Sequence, residues 1–223
     1  MALAASPAAA LTIHVDQDST WRYVNATPGT TQAVPLNWFS SSFDDSGWST
    51  GAAPFTSNTA NPASTFGSDF ANAGTPFGGS APAIPSSGTL WNVGFDPYVR
   101  IHFNLAAPEA LTIWLAVDNG INSMYLNGTQ ATGSVNAEGQ GFRWEHVFDI
   151  GAQYTVAGDN VLALQLEDHG GATAFMAVVT SDDSNSNPVF TTNPPAVPEP
   201  GTLAVLAIGI GAMGLLRRRQ RRS

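Results

Sequence analysis

From Tyr98 to Leu105, Val99, Ile101, Phe103 and Leu105 fall on one side of an extended chain, and Tyr98, Arg100, His102 and Asn104 on the other. Successive side chains of a strand point to opposite faces, so this period of two demands a half-buried β-strand and excludes a helix. A second alternation follows, with Leu111, Ile113, Leu115 and Val117 interleaved with Thr112, Trp114, Ala116 and Asp118, and Ala107-Pro108-Glu109 connects the two. Asp118-Asn119-Gly120 reads as a break, after which Ile121 to Leu126 forms a short strand ending in Asn127-Gly128. Both of those turn residues tolerate positive φ, which makes the pair a strong hairpin signal. Trp144 to Ile150, Asn160 to Leu166 and Ala174 to Thr180 read as further strands, and no long amphipathic helix is evident. The expected fold class is all-β, a jelly-roll β-sandwich, with a single C-terminal transmembrane helix.

The C-terminus carries the expected helix, a marginal anchor by length. An uncharged run, TLAVLAIGIGAMGLL from Thr202 to Leu216, is preceded by Val197-Pro198-Glu199-Pro200-Gly201 and followed by RRRQRR. Fifteen helical residues reach roughly 22 Å against a hydrocarbon core of about 30 Å, so the span is short and needs its flanks or local thinning. Arg217, Arg218, Arg219, Arg221 and Arg222 hold the far end on the cytoplasmic side, which places the preceding body outside the inner membrane. Two prolines around Glu199 deny helix and sheet hydrogen bonds and leave an extended segment beside the bilayer.

Pro198-Glu199-Pro200, the short apolar helix and the terminal arginines resemble the PEP-CTERM sorting signal of Gram-negative bacteria. The resemblance implies recognition and processing by an exosortase, a membrane enzyme, with Pro198, Glu199 and Pro200 as the recognition element. It implies an exported chain, anchored transiently in the inner membrane and then delivered to the cell envelope or extracellular matrix. An ordinary tail anchor with a Pro-rich stalk is the plainer alternative. At the other end, MALAASPAAA ends in small residues suited to cleavage after Ala10 and reads as the remnant of a signal peptide, or else as an Ala-rich leader. The expected organisation is therefore a remnant over 1–10, a β-sandwich over 11–186, a Pro-rich stalk over 187–197 and the sorting and membrane signal over 198–223. Within the body, a Ser/Ala/Asn-rich excursion near 56–87 reads as a functional loop or a disordered insertion.

All eight basic residues are arginine, and five stand in the tail, so Arg22, Arg100 and Arg143 face sixteen carboxylates up to Asp183. Such a body repels nucleic-acid phosphates. The chain has no cysteine, which removes disulfides and Cys-ligated zinc.

A second resemblance, to galactose-binding-domain-like jelly rolls, is carried by FDDSGWSTGAAPF, YVRIHFNL, LTIWLAVDNGINSMYLNG and AGDNVLALQLEDHGG in that order. Modules of that kind often bind carbohydrate, while some only space other domains. The sharpest candidate for sugar stacking is Trp114, on the expectation that it shares an outer sheet face with Arg100 and His102; core packing is the competing reading. Trp38, Trp48, Trp91 and Trp144 are expected in the core or at corners.

For chemistry, the paired carboxylates are Asp44-Asp45, Glu167-Asp168 and Asp182-Asp183, with the first and last read as solvated acids. Glu167 and Asp168, joined by Asp118 or Asp16, form a candidate calcium set, against a simple turn. His14, His102, His146 and His169 are isolated and lack a zinc motif, and no serine sits in a nucleophile elbow. The expectation is a noncatalytic surface or matrix protein with exopolysaccharide as its candidate partner. The alternatives are a glycan hydrolase acting through Glu167 or Asp168 and a purely structural envelope protein.

Overall fold

The computed structural model describes residues 12–66, 84–131, 144, 146–181 and, for backbone alone, 138–140 and 187–188. The chain divides into two compact units, 1–192 and 193–223. The sorting residues Pro198, Glu199 and Pro200, the arginines from 217 to 222, the expected membrane span, the leader over 1–10 and Asp182-Asp183 lie outside the described residues. Among those described, no helix is long and apolar enough to cross a membrane.

The first unit is a β-sandwich built from one continuous sheet that doubles back on itself. In chain order its strands are β1 (Ile13–Val15), β2 (Thr20–Val24), β3 (Ser49–Ala52), β4 (Phe55–Thr56), β5 (Thr89–Leu90), β6 (Tyr98–Leu105), β7 (Leu111–Leu126), β8 (Thr129–Gln130), β9 (Glu138–Gln140), β10 (His146–Ile150), β11 (Gly158–Glu167), β12 (Ala174–Ser181) and β13 (Asn187–Pro188). The main path runs β3-β2-β6-β11-β7-β12-β4-β5. The pivot is β7. Its first half pairs with β10 through Leu111–Leu115 and with β12 through Leu111–Asp118, and its second half pairs with β11 through Gly120–Leu126. One strand therefore belongs to both layers.

This corrects the expectation that Asp118-Asn119-Gly120 ends a strand. Sixteen residues run through it, and the change of partner from β12 to β11 falls at that triplet. A run of local turn formers and a change of layer leave the same trace in sequence. By contrast, Asn127 and Gly128 do form the expected turn, with φ of 50° and 84°, and β8 returns to pair with Tyr125 and Leu126.

Aromatic contacts fasten the layers. Trp21 of β2 meets Phe175 of β12 edge to face at 5.3 Å, and Tyr23 of β2 meets Phe55 of β4 at 5.2 Å. Around them lie the inward residues of the alternating strands, Val99, Ile101, Phe103 and Leu105 from β6 and Leu162, Leu164 and Leu166 from β11, all buried. Removing that much apolar surface from water is the main force holding a sandwich together, at roughly 25 cal/mol per Å².

The excursion near 56–87 is packed at its N-terminal flank. Phe66 and Thr56 are buried, and the Thr56 and Thr65 hydroxyls lie 2.7 Å apart. At the far end of the body, Asn187-Pro188 pairs in parallel with Phe148-Asp149, so the first two residues assigned to the stalk belong to the sheet.

Candidate functional site

The outer face of β2, β6 and β11 carries the polar half of the alternation, and a long connection lies across it. Residues 25–48, between β2 and β3, bring Trp38, Phe39, Phe43 and Trp48 over Val24, Tyr98, Ala163 and Tyr125, forming a second apolar cluster apart from the main core. Phe39 stacks on Tyr125 with ring centroids 4.2 Å apart, and Trp38 meets Tyr98 edge to face at 4.8 Å. Burial pushes the Tyr125 phenol above its ordinary value, because the interior disfavours the phenolate.

Beneath this strap a charge cluster replaces the expected sugar platform. Arg100 is fully buried, with Nε donating to Asp45 Oδ2 at 2.8 Å and Nη1 donating to the carbonyls of Trp38 and, at 3.1 Å, Ser40. Phe43 lies 5.2 Å from the guanidinium carbon. The same Asp45 oxygen is 3.0 Å from His102 Nε2, and His102 Nδ1 is 2.8 Å from Asp159 Oδ2. Arg22 approaches the other Asp45 oxygen at 3.9 Å. A buried guanidinium needs a paired anion and hydrogen-bond acceptors, and the strap supplies the anion and two carbonyls, leaving Nη2 buried without an acceptor among the described residues.

Two expectations fail here. Arg100 is no surface ligand group, since its donors are turned to Asp45 and the strap carbonyls. Trp114 does not share its face: it lies in the first half of β7, opposite Val147 and Val178, is 5% exposed, and its Nε1 donates to Thr180 Oγ1 at 3.3 Å. The competing reading of Trp114 as core is the correct one, because that half of β7 has neighbouring strands on both sides and the main core against it. His102 alone of the three reaches solvent. Asp45, read as a solvated turn acid, is instead buried; its neighbour Asp44 fits that reading, held below the usual carboxylate range by the Ser46 hydroxyl and amide. The missed signal was Arg100 itself, an arginine in an alternating strand that must find an anion once its face is covered. Trp38, Trp48, Trp91 and Trp144 are all buried as expected.

Three of the candidate calcium residues, Asp16, Glu167 and Asp168, have protein partners. Asp16 Oδ1 accepts from the Asp18 amide at 3.0 Å and the Ser19 hydroxyl at 2.9 Å. Asp118 is in mid-strand opposite Ala174. Glu167 pairs with His169 at 2.9 Å, and Asp168 accepts from the amides of Gly94 and, at 3.1 Å, Gly170. Among the described residues, no three acidic or histidine side chains gather as a metal ion would require. Asp168 also anchors a turn: its own amide is fixed by Asp96 at 2.9 Å, which ties the β11–β12 connection to the loop before β6.

A groove of about 440 Å³ opens beside the end of β2, lined by Tyr23, Asn25, Thr27, Thr30, Gln32 and Ser49 among others, with no charged side chain. Its wall is the 25–32 loop. Asn25, at φ 61°, starts the turn and accepts from the Gln32 amide at 3.2 Å, and the Ala26 carbonyl accepts from the Asn92 amide at 2.8 Å. Nothing periodic marks these residues, which is why the sequence passes over them.

Fold and site together define a β-sandwich body with a polar groove, followed by a separate C-terminal unit. Residues 196–222 match the PEP-CTERM protein-sorting motif. The chain thus carries the C-terminal address of an exported protein processed by an exosortase. Comparison with curated protein sequences gives no significant match. Among solved structures, a glycosyl hydrolase family 2 member from Bacteroides cellulosilyticus is similar over 76% of this chain and 21% of its own, at 13% identity and a TM-score of 0.43. A beta-glucuronidase from glycoside hydrolase family 2 is similar over 78% of this chain and 18% of its own, at 15% identity and a TM-score of 0.42. The chain therefore spans about a fifth of the length of these two enzymes. The PA14 domain of the MpAFP antifreeze protein is similar over 88% of this chain and all of that domain, at 15% identity and a TM-score of 0.31.

Proposed function

We propose that this chain is a noncatalytic cell-surface or matrix protein whose tail delivers an acidic β-sandwich outside the cell, where the body contacts exopolysaccharide through the groove beside β2. The observation that carries the first part is the sorting motif at residues 196–222, C-terminal to the β-sandwich unit. The second part rests on the groove's chemistry. Amides and hydroxyls both donate and accept, which suits a hydroxyl-rich ligand. With no cation in the lining and a strongly acidic body, a neutral glycan fits and a polyuronate does not.

Noncatalysis is supported by how the titratable groups are spent. A general acid or base needs a free position within reach of substrate. Both ring nitrogens of His102 already face carboxylates, and the Asp168 carboxylate holds backbone amides.

The test uses the full chain in a detergent without a sugar headgroup, titrated with neutral and uronate-containing exopolysaccharide fractions from the organism that makes it. Saturable binding of the neutral fraction, weakened about tenfold in Gln32→Ala, is expected. Absence of binding would leave a sorted structural protein, and release of reducing ends from either fraction would overturn the noncatalytic reading.

A further inference from the structure

We infer that His102 is a proton-sensitive latch for the 34–48 part of the strap, holding it against the sheet while both ring nitrogens carry protons and loosening it when one is lost. The proposal does not depend on the groove's ligand.

The geometry allows little choice. Asp159 Oδ2 lies 2.8 Å from Nδ1 and Asp45 Oδ2 lies 3.0 Å from Nε2. An ionised carboxylate only accepts hydrogen bonds, so both nitrogens must donate, and only the imidazolium has two N–H groups. In the neutral ring one carboxylate meets a lone pair. If Asp159 keeps the proton, Asp45 faces that lone pair with its side chain only 11% exposed. If Asp45 keeps it, Asp159, 52% exposed, turns to water, and the ring loses both its orienting partner and the charge that attracts Asp45.

The surrounding groups come from four elements. Asp45 and the exposed Asp44 belong to the strap, Arg22 to β2, Arg100 to β6 beside His102, and Asp159 to β11. Arg22 and Arg100 do not change charge in any working range, so Arg100 continues to hold Asp45 after His102 is neutral. The release is accordingly partial. Replacing a charge-assisted bond by a neutral one shifts the docked-to-undocked ratio by about tenfold. The contribution is complete while both His102 nitrogens carry protons and is lost when rising pH removes one of them.

The strap carries its own reporters, since Trp38 and Trp48 are 7% and 5% exposed. Acrylamide quenching of the full chain, followed from about pH 5 to 9, brackets histidine titration. The Trp38→Phe and Trp48→Phe variants identify the strap signal. Quenching of these two residues is expected to rise with pH in the wild-type chain and to stay level in His102→Gln, which cannot titrate. A flat wild-type profile, or the same rise in His102→Gln, would overturn the latch. Should His102→Gln fail to fold, nitrogen-15 spectra of the wild-type ring over the same pH range decide: loss of one of two hydrogen-bonded N–H groups in step with the rise in Trp38 and Trp48 quenching upholds the proposal, and a rise in quenching without that loss refutes it.

Discussion

Asp45→Ala removes the anion that neutralises a fully buried Arg100. Its carboxylate receives the 2.8 Å bond from Arg100 Nε and the 3.0 Å bond from His102, and after substitution the guanidinium keeps only the Trp38 and Ser40 carbonyls. Breaking a buried pair from one side costs about 3 to 5 kcal/mol. The lower end applies here, because the strap can lift and admit water instead of leaving the charge dry; a loss of about 3 kcal/mol is expected. Arg100→Met should cost less, about 2 kcal/mol, since Asp45 retains His102 and has Arg22 within 3.9 Å. In the double variant no charge is stranded, and Met fills the arginine stem's place, so most of the Asp45→Ala loss should return. Urea unfolding followed by tryptophan emission measures all four species, and with about 1 kcal/mol of loss left in the double variant the cycle should give a coupling of about 4 kcal/mol. Asp45→Ala within about 0.5 kcal/mol of wild type, or a double variant no more stable than Asp45→Ala, would refute the account of the cluster.

Other consequences are independent. Asn160 is buried and joins Val156, Gly158 and Asn127 in one hydrogen-bond network, so Asn160→Ala should cost about 2 to 3 kcal/mol in urea unfolding. Phe39→Ala removes the stack on Tyr125 and should increase acrylamide access to Trp38. Asp44 is held low by Ser46, so its contribution to stability is present above its unfolded pKa and lost as pH falls through the lower folded value; Ser46→Ala should flatten that acid limb in stability measured against pH. Replacing Pro198, Glu199 and Pro200 by alanine should leave the unprocessed precursor in the membrane of a host with an exosortase, read by the mass of the accumulated chain.

Period-two alternation was enough to place β6 and the first half of β7, because a half-buried strand must show its two faces in sequence. Asn127-Gly128 fixed a hairpin for an equally local reason, the need for positive φ. The sorting motif was legible because it is read as a linear string: a Pro-Glu-Pro element, an apolar run and arginines, each defined by composition and order. What covers a polar sheet face is a different kind of fact. Arg100 and His102 looked available until a segment some sixty residues earlier in the chain closed over them, and Asp45 looked solvated until it met Arg100. Trp114 read as a partner of Arg100 until β7 was seen to change layers. Sequence by itself determined β6, the first half of β7, the turn and the address, since each depends on near neighbours. Tertiary structure alone decided which polar groups are buried together and where a groove remains open, because those depend on contacts between residues far apart in the chain.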